Sequence, residues 1–361
     1  MLTKFRSIAL AVAVRLTRLL PWPLQAIYSR TGAGLRLFKL SYLSRSSRNY
    51  IEIDNGEFSL SSRYRQFDTD EPRVLDSVTM PIGMWKLTGA RIFSNPKFPM
   101  VQTSSRLTFL PRSEPGPYHH YAQNAWNPGF HVLRENDRSV VAKIPMRRVD
   151  VSPCVYVGTR APRNWSHWLI NFLPGVMVAA DYFSGSPPGP LIVGPGFSDG
   201  PARSALFSYF WGDSQTTVCE DEEFIGAKIA YWFEQPFSDS PRPKSRENLL
   251  PKSANWRTMT KFRDRLLEFS VGNASDRDWP DKVFLAREPT FSRPYNGREV
   301  EAVAVESGYE IVFLNRLSIA DQIATVNHAR RLVGPHGSAF ANTIVAGGEQ
   351  NYWSLETESA K

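Results

Sequence analysis

The chain has 361 residues, of which 42% are hydrophobic and 22% charged. That balance belongs to a globular protein able to bury a core, and it excludes a disordered or wholly membrane-embedded chain. The formal charge of +8 is unevenly placed, with nine basic residues and no acidic one before Ile51, leaving −1 (+8 less 9) for the remainder. Basicity confined to one segment argues against a broad nucleic-acid groove, and the chain carries no RNA- or DNA-binding motif.

Residues 1–43 form a basic N-terminal segment. Phe5, Ala9, Val12, Leu16 and Leu19 recur at spacings of four and three, the period of one helix face, with Lys4, Arg15 and Arg18 to one side. The apolar run Ile8–Val14 is much shorter than the roughly 20 residues a membrane span needs, and no small-residue cleavage site follows it. A basic amphipathic helix ending at Pro21-Trp22-Pro23 suits peripheral contact of residues 1–23 with an anionic membrane surface. An ordinary helix packed on its own fold is the other reading.

Residues 44–151 are rich in Pro, Ser and Arg, with turn signals at Asn55-Gly56 and Pro128-Gly129 and a strand at Val140–Ile144. This predicts an irregular α+β region. Asp68-Thr69-Asp70 reads as a solvated loop rather than a metal-binding acid pair, and His119-His120 is uninformative because adjacent residues point apart. Cys154 and Cys219 are far apart, with no histidine at ligand spacing, so neither a disulfide framework nor a zinc site is expected. Two sequons, at Asn164 and Asn273, are too short a pattern to weigh.

Strand-like Val155–Val157 leads into Asn164-Trp165-Ser166-His167-Trp168-Leu169-Ile170-Asn171-Phe172-Leu173-Pro174. Spaced by four, His167 and Asn171 share one helix face, and Trp168 and Phe172 the adjacent one. Tryptophans flanking a histidine suit the flat faces of sugars, or equally a core. Strand Leu191–Val193, helix Ala202–Trp211 and strand Ile229–Phe233 repeat a βαβ rhythm that implies a parallel sheet. Residues 238–252, with three prolines and many charges, are the linker candidate, dividing residues 44–240 from 253–361.

A charged helix over Asn255–Phe269 opens the second unit, followed by strand Val283–Ala286, which ends at Arg287. Arg293 lies in the next loop. Asn296 with Glu299 forms a capping box for a helix that has Val300 and Val303 inside and stops at Gly308. Strand Ile311–Leu314, a helix capped by Ser318 with Ile319, Ile323 and Val326 as its apolar face, and strand Leu332-Val333 complete a Rossmann-like half-domain, whose ligands belong at the carboxyl ends of its strands. There the chain turns through Gly334-Pro335-His336-Gly337 and Ser338 opens a short helix. Backbone N–H groups at such a turn attract anions, phosphate above all. A structural turn is the plainer reading of this run taken alone.

In these residues the chain resembles glycosyltransferase family 61 over about Val155–Asn342. The likeness rests on Asn164–Leu169 with Leu173-Pro174, Val283–Arg287, Arg293 with Asn296 and Glu299-Val300, Gly308–Glu310, Leu317-Ser318 with Asp321-Gln322, and Gly334–Gly337 with Asn342. It implies an α/β, GT-B-like fold of two Rossmann-like units facing a cleft, and inverting, metal-independent transfer with no cofactor. The donor, a UDP- or GDP-linked sugar, is expected on the C-terminal unit and a glycan or lipid-linked acceptor on the N-terminal one. Arg287, Arg293, Gly334, His336, Gly337 and Ser338 are the donor-diphosphate candidates, with Glu356 a ribose or sugar contact. Asn164, Trp165, Trp168 and Asn171 stand on the acceptor side, and His167 is the candidate base or a histidine bonded within the tryptophan cluster.

Three departures qualify the likeness. Asn171 stands where bacterial relatives carry an acid, Ser338-Ala339-Phe340 replaces Ala-Gly-Leu, and relatives continue well past Lys361. A short C-terminal unit is therefore expected. The implied role is surface or capsular polysaccharide synthesis on the cytoplasmic face of the plasma membrane. The alternative is a non-catalytic partner in such an assembly, while a Golgi enzyme would require an N-terminal span.

Overall fold

The structure, a computed structural model, describes residues 35–40, 47–54, 61–64, 73–76, 81–94, 99–103, 106–109, 131–135, 139–143, 147–158, 163–220, 223–238, 253–288, 295–347 and 351–355. The basic segment 1–23, both turns at 55–56 and 128–129, Asp68–Asp70, His119-His120, most of the 238–252 linker, Arg293 and Glu356 lie outside the described residues.

Two β-rich layers result. The first is a mixed sheet that draws on β1 (Leu35–Leu40), β2 (Tyr50–Asp54), β5 (Ile82–Ser94), β6 (Pro99–Thr103), β7 (Arg106–Phe109), β8 (His131–Glu135), β9 (Ser139–Lys143) and β10 (Arg147–Asp150), with β3 (Ser61–Tyr64) and β4 (Arg73–Asp76) forming a separate hairpin. It continues into β11 (Cys154–Val157), β12 (Leu191–Val193), β13 (Thr216–Val218) and β14 (Glu223–Phe233). Among the described residues of 44–151 the regular elements are strands. The physical reason is long-range pairing. β5 lies antiparallel to β14, with Trp85 opposite Trp232 and Met84 opposite Phe233, partners far along the chain that local composition cannot announce.

Within that sheet β13-β12-β11-β14 is a parallel block. Strands buried on both faces need no alternation, and Cys154, Val155, Tyr156 and Val157 are each buried. The chain crosses from β11 through α1 (Trp165–His167), a π-helical segment (Trp168–Phe172) and α2 (Leu173–Tyr182), then from β12 through α3 (Pro201–Trp211). The π turn has a local cause. Pro174 has no N–H for the Ile170 carbonyl and its ring crowds the preceding turn, so the helix widens and Leu173 N–H reaches back five residues to Trp168 O.

After the short pair β15 (Phe237–Ser238) and β16 (Ser253–Ala254) comes α4 (Trp256–Asn273), capped by the Asn255 side chain accepting from Thr258 N–H. The second sheet is fully parallel. β17 (Lys282–Leu285), α5 (Gly297–Glu306), β18 (Glu310–Val312), α6 (Ile319–His328), β19 (Arg331–Pro335), a 3₁₀ helix (Ser338–Val345) and β20 (Asn351–Leu355) follow in turn, and the strand order is β18-β17-β19-β20. Ser318 caps α6 by accepting from Asp321 N–H, and Ile319, Ile323 and Val326 are buried as their spacing predicts.

Two details of α5 depart from expectation. Asn296 makes no capping bond to the backbone, because its amide donates to Glu299 Oε2 instead. Val303 is 61% exposed, and Ala304 takes the inward position. One apolar core runs through both layers, uniting Val176, Phe207 and Phe210 with Phe262, Leu285, Ile323 and Leu332.

Candidate active site

Each parallel block has a point where strand order reverses, and a crevice opens there at the carboxyl ends of two strands. In the second sheet β18 lies on one side of β17 and β19 on the other, so the crevice falls between β17 and β19. The residues leaving those strands are Arg287 and His336, the two ends marked by sequence. They touch, since Arg287 Nη2 donates to the His336 carbonyl oxygen over 2.6 Å.

Two glycines set this geometry by different means. A Cβ on Gly334 would lie 2.6 Å from the Leu285 carbonyl oxygen, so this buried glycine lets β19 approach β17. A Cβ on Gly337 would lie 2.7 Å from Arg287 Nη2, so this glycine makes room for the guanidinium itself. Gly337 also precedes the 3₁₀ helix, whose first N–H groups have no partner within the helix and point at the turn. Ser338 is exposed at that end, as is His336.

Tyr295 supports the arginine in a way the sequence did not announce. Its hydroxyl accepts from Arg287 N–H at 3.3 Å and donates to Glu301 Oε1 at 2.6 Å. Burial and the Glu301 carboxylate both push the phenol above its ordinary pKa, so it stays protonated and keeps this donor. Beside it, Glu288 grips Arg316 through two hydrogen bonds of 2.7 and 3.1 Å, and the arginine holds its carboxyl below the usual range.

In the first sheet the reversal lies between β11 and β14. Gly158 follows β11 and Glu234-Gln235 follow β14, and the Gln235 amide donates to the Gly158 carbonyl across the crevice. Glu234 is 1% exposed and accepts from Gly83 N–H at 2.8 Å and Tyr50 OH at 3.0 Å. The helix that leaves this crevice begins at Asn164, whose exposed side chain caps it by accepting from Ser166 N–H. His167 Nδ1 lies 3.0 Å from Asn171 Oδ1, and the Asn171 amide nitrogen donates to Phe237 O at 3.1 Å.

The tryptophans separate in role. Trp165 is half-buried and stacks on Trp168 with ring centres 5.5 Å apart. Trp168 has no accessible surface, so an acceptor contact through its own ring is corrected to a supporting one. Arg203, itself 8% exposed, lies 5.6 Å over that ring and donates to Gly196 O and Arg163 O. Burial lowers its pKa, opposed by nearby Asp199.

The two crevices are joined directly. Trp165 Nε1 donates to Asn342 Oδ1 at 3.3 Å, and Asn342, only 2% exposed, donates to Ala339 O. The helix leaving the first crevice therefore rests on the 3₁₀ helix leaving the second. Asn342, Glu234 and Arg203 are polar residues with partners in remote segments, and Tyr295 bonds to both Arg287 and Glu301 at irregular spacing, which is why spacing did not single them out as site residues. Among the described residues no group of three or more His, Cys, Asp or Glu could hold a metal ion, and at the β17/β19 crevice Arg287, His336 and the head of the 3₁₀ helix are able to meet an anion.

Residues 165–350 match the model of the family described as Glycosyltransferase 61. That span starts at the helix leaving the first crevice, ends just beyond the 3₁₀ helix, and includes His167, Glu234, Arg287 and His336. The protein is a glycosyltransferase, an enzyme that takes a sugar from a nucleotide sugar to an acceptor. It belongs to glycosyltransferase family 61. No curated protein matches the chain.

Proposed function

We propose that the protein is an inverting, metal-independent transferase that moves a sugar from a UDP- or GDP-linked donor to a glycan or lipid-linked acceptor in surface or capsular polysaccharide synthesis. The observation that carries the donor assignment is Arg287 held against the His336 carbonyl at the β17/β19 crevice. A sugar nucleotide departs as a diphosphate, whose growing charge needs cationic and N–H donors placed in advance. Arg287 presents five N–H groups in a planar fork, and the turn from His336 to Ser338 adds backbone donors at a helix start.

In this reading the two blocks are the units of a GT-B arrangement, residues 44–240 for the acceptor and 253–361 for the donor. His167 takes the proton of the acceptor hydroxyl as its oxygen attacks the anomeric carbon, and the bond to the diphosphate breaks on the opposite face. Asn164 and Trp165 border the acceptor, and Arg293 and Glu356 complete the donor side. A basic helix within residues 1–23 would keep the enzyme at the cytoplasmic face of an anionic membrane, beside lipid-linked acceptors.

Calorimetric titration with UDP- and GDP-sugars tests the donor site. Saturable binding to one of them is expected, and binding to neither returns the reading of a non-catalytic partner. Arg287→Ala and His336→Ala, with folding intact, are each expected to lower transfer about 10²-fold, the scale of losing one donor to a developing anion. Unchanged transfer in both discards the site.

A further inference from the structure

One hydrogen-bond chain decides which nitrogen of His167 carries its proton. Asn171 Nδ2 stands 3.1 Å from the carbonyl oxygen of Phe237. A carbonyl only accepts, so the amide nitrogen faces it and the amide oxygen faces the other way. That oxygen is 3.0 Å from His167 Nδ1. An amide oxygen also only accepts, so Nδ1 supplies the hydrogen. A neutral imidazole protonated at Nδ1 keeps its basic lone pair at Nε2.

We infer that Asn171 is a positioning residue that holds neutral His167 as the Nδ1–H tautomer, making Nε2 the atom that receives the acceptor's proton. The inference rests on His167 being the base and specifies how it is armed. Imidazole in water prefers the opposite tautomer, with the proton on Nε2, so the arrangement is imposed by the protein. In the transfer step the acceptor O–H bond breaks, its proton passes to Nε2 and its electron pair forms the bond to the anomeric carbon. The pair of the broken anomeric bond leaves with the diphosphate.

Asn171 is 5% exposed, and its two bonds run in one direction from ring to β15. The role matches that of the acid that orients the histidine in hydrolytic triads, but an amide fixes the ring without adding charge. The 3₁₀ helix and β15, which pack against this helix, carry no ionisable side chain. Among the described residues the ionisable groups at their flanks are His336 and Glu234, and in the sequence Asp239 directly follows β15. On α3, Arg203 lies over Trp168 with Asp199 beside it. An amide at 171 places no charge beside the ring, where a carboxylate would raise its basicity.

Nitrogen NMR of the full chain labelled with ¹⁵N-histidine reads the tautomer directly, with His167→Gln assigning the signals. The expected wild-type pattern is a protonated Nδ1 and an unprotonated Nε2, passing to the Nε2–H form in Asn171→Leu. A wild-type Nε2–H form overturns the inference. No substrate enters this measurement, so its failure is distinct from a failure of donor binding. The isosteric Asn171→Asp provides the second arm. It still accepts from Nδ1, and its charge is expected to move the acid limb of the kcat/KM profile up by about one pH unit. An unmoved limb in an active Asn171→Asp enzyme also overturns the inference.

Discussion

Gly334 and Gly337 are three positions apart in one turn, yet their substitution should have opposite consequences. An added Cβ at Gly334 meets backbone, the Leu285 carbonyl at 2.6 Å and the Leu285 Cβ at 3.0 Å, so β17 and β19 must separate. Gly334→Ala is expected to cost 1–3 kcal/mol, roughly the cost of overpacking a close contact. At Gly337 the obstacle is the end of a long side chain, and Arg287 can swing away. Gly337→Ala should keep stability within about 0.5 kcal/mol, the ordinary surface range, while weakening nucleotide binding about tenfold because Arg287 is displaced. Urea midpoints and nucleotide titrations on both variants check the pair, and a matching loss of stability in the two would refute it. At this scale the sequence was a good guide to which side chains meet along one helix and a poor one to burial. His167 and Asn171 at i and i+4 meet as a helix demands, whereas nothing in the spacing says that Trp165 keeps accessible surface and Trp168 has none. Accessibility depends on Arg203 and α3, which arrive from another part of the chain.

The elements of the second sheet were readable because their signals are local. Ser318 caps α6, Gly308 ends α5 at φ 79°, and Ile319, Ile323 and Val326 face inward. The helix after His336 is 3₁₀ rather than α, with Phe340 N–H bonded to Gly337 O, a distinction that composition does not encode. The α6 start also carries a pH signature. Burial raises the Asp321 pKa, but hydrogen bonds from the Ser275 N–H and hydroxyl at 2.8 Å, with Ser318 and the Arg277 charge, outweigh it and leave the group below its usual value. A lowered folded pKa means that ionised Asp321 supports the fold above the unfolded value of about 3.9, and that this support is lost as pH falls through the folded value. Urea unfolding between neutral pH and pH 3 should therefore lose less stability in Asp321→Asn than in the parent. Ser318→Ala should cost about 1 kcal/mol at neutral pH, as the loss of a cap does, and less at pH 3, because Ser318 also helps hold Asp321 ionised. A parallel acid slope for Asp321→Asn and parent would count against the assigned bonds.

At the scale of the molecule, the linker candidate suggested two separable units, and the parallel blocks on either side of it belong to different sheets. Their cores are not distinct. Phe262 on α4 lies 5.2 Å from Phe210 on α3, Tyr209 lies 5.1 Å from Phe269, and the Ser270 hydroxyl donates to Ala320 O. The helices α3 and α4 and the apolar face of α6 were visible in the sequence, but not which faces would meet. Calorimetric unfolding should show one transition. Phe262→Ala should lower the stability of the whole by about 3–5 kcal/mol, the usual effect of emptying an aromatic core site. Two resolved transitions, or a loss confined to one of them, would contradict a shared core.

That shared core restricts how the enzyme can admit and release its substrates. Two bodies that slide or hinge need a thin, wettable seam between them, and here the seam is filled by aromatic side chains. Closing over a nucleotide by swinging one sheet towards the other would expose that seam to water. Any gating then falls to short segments at the rim, such as the turn at His336, which can rearrange without disturbing the core. The radius of gyration from small-angle scattering should stay the same when nucleotide saturates the protein, even as signals from His336 shift.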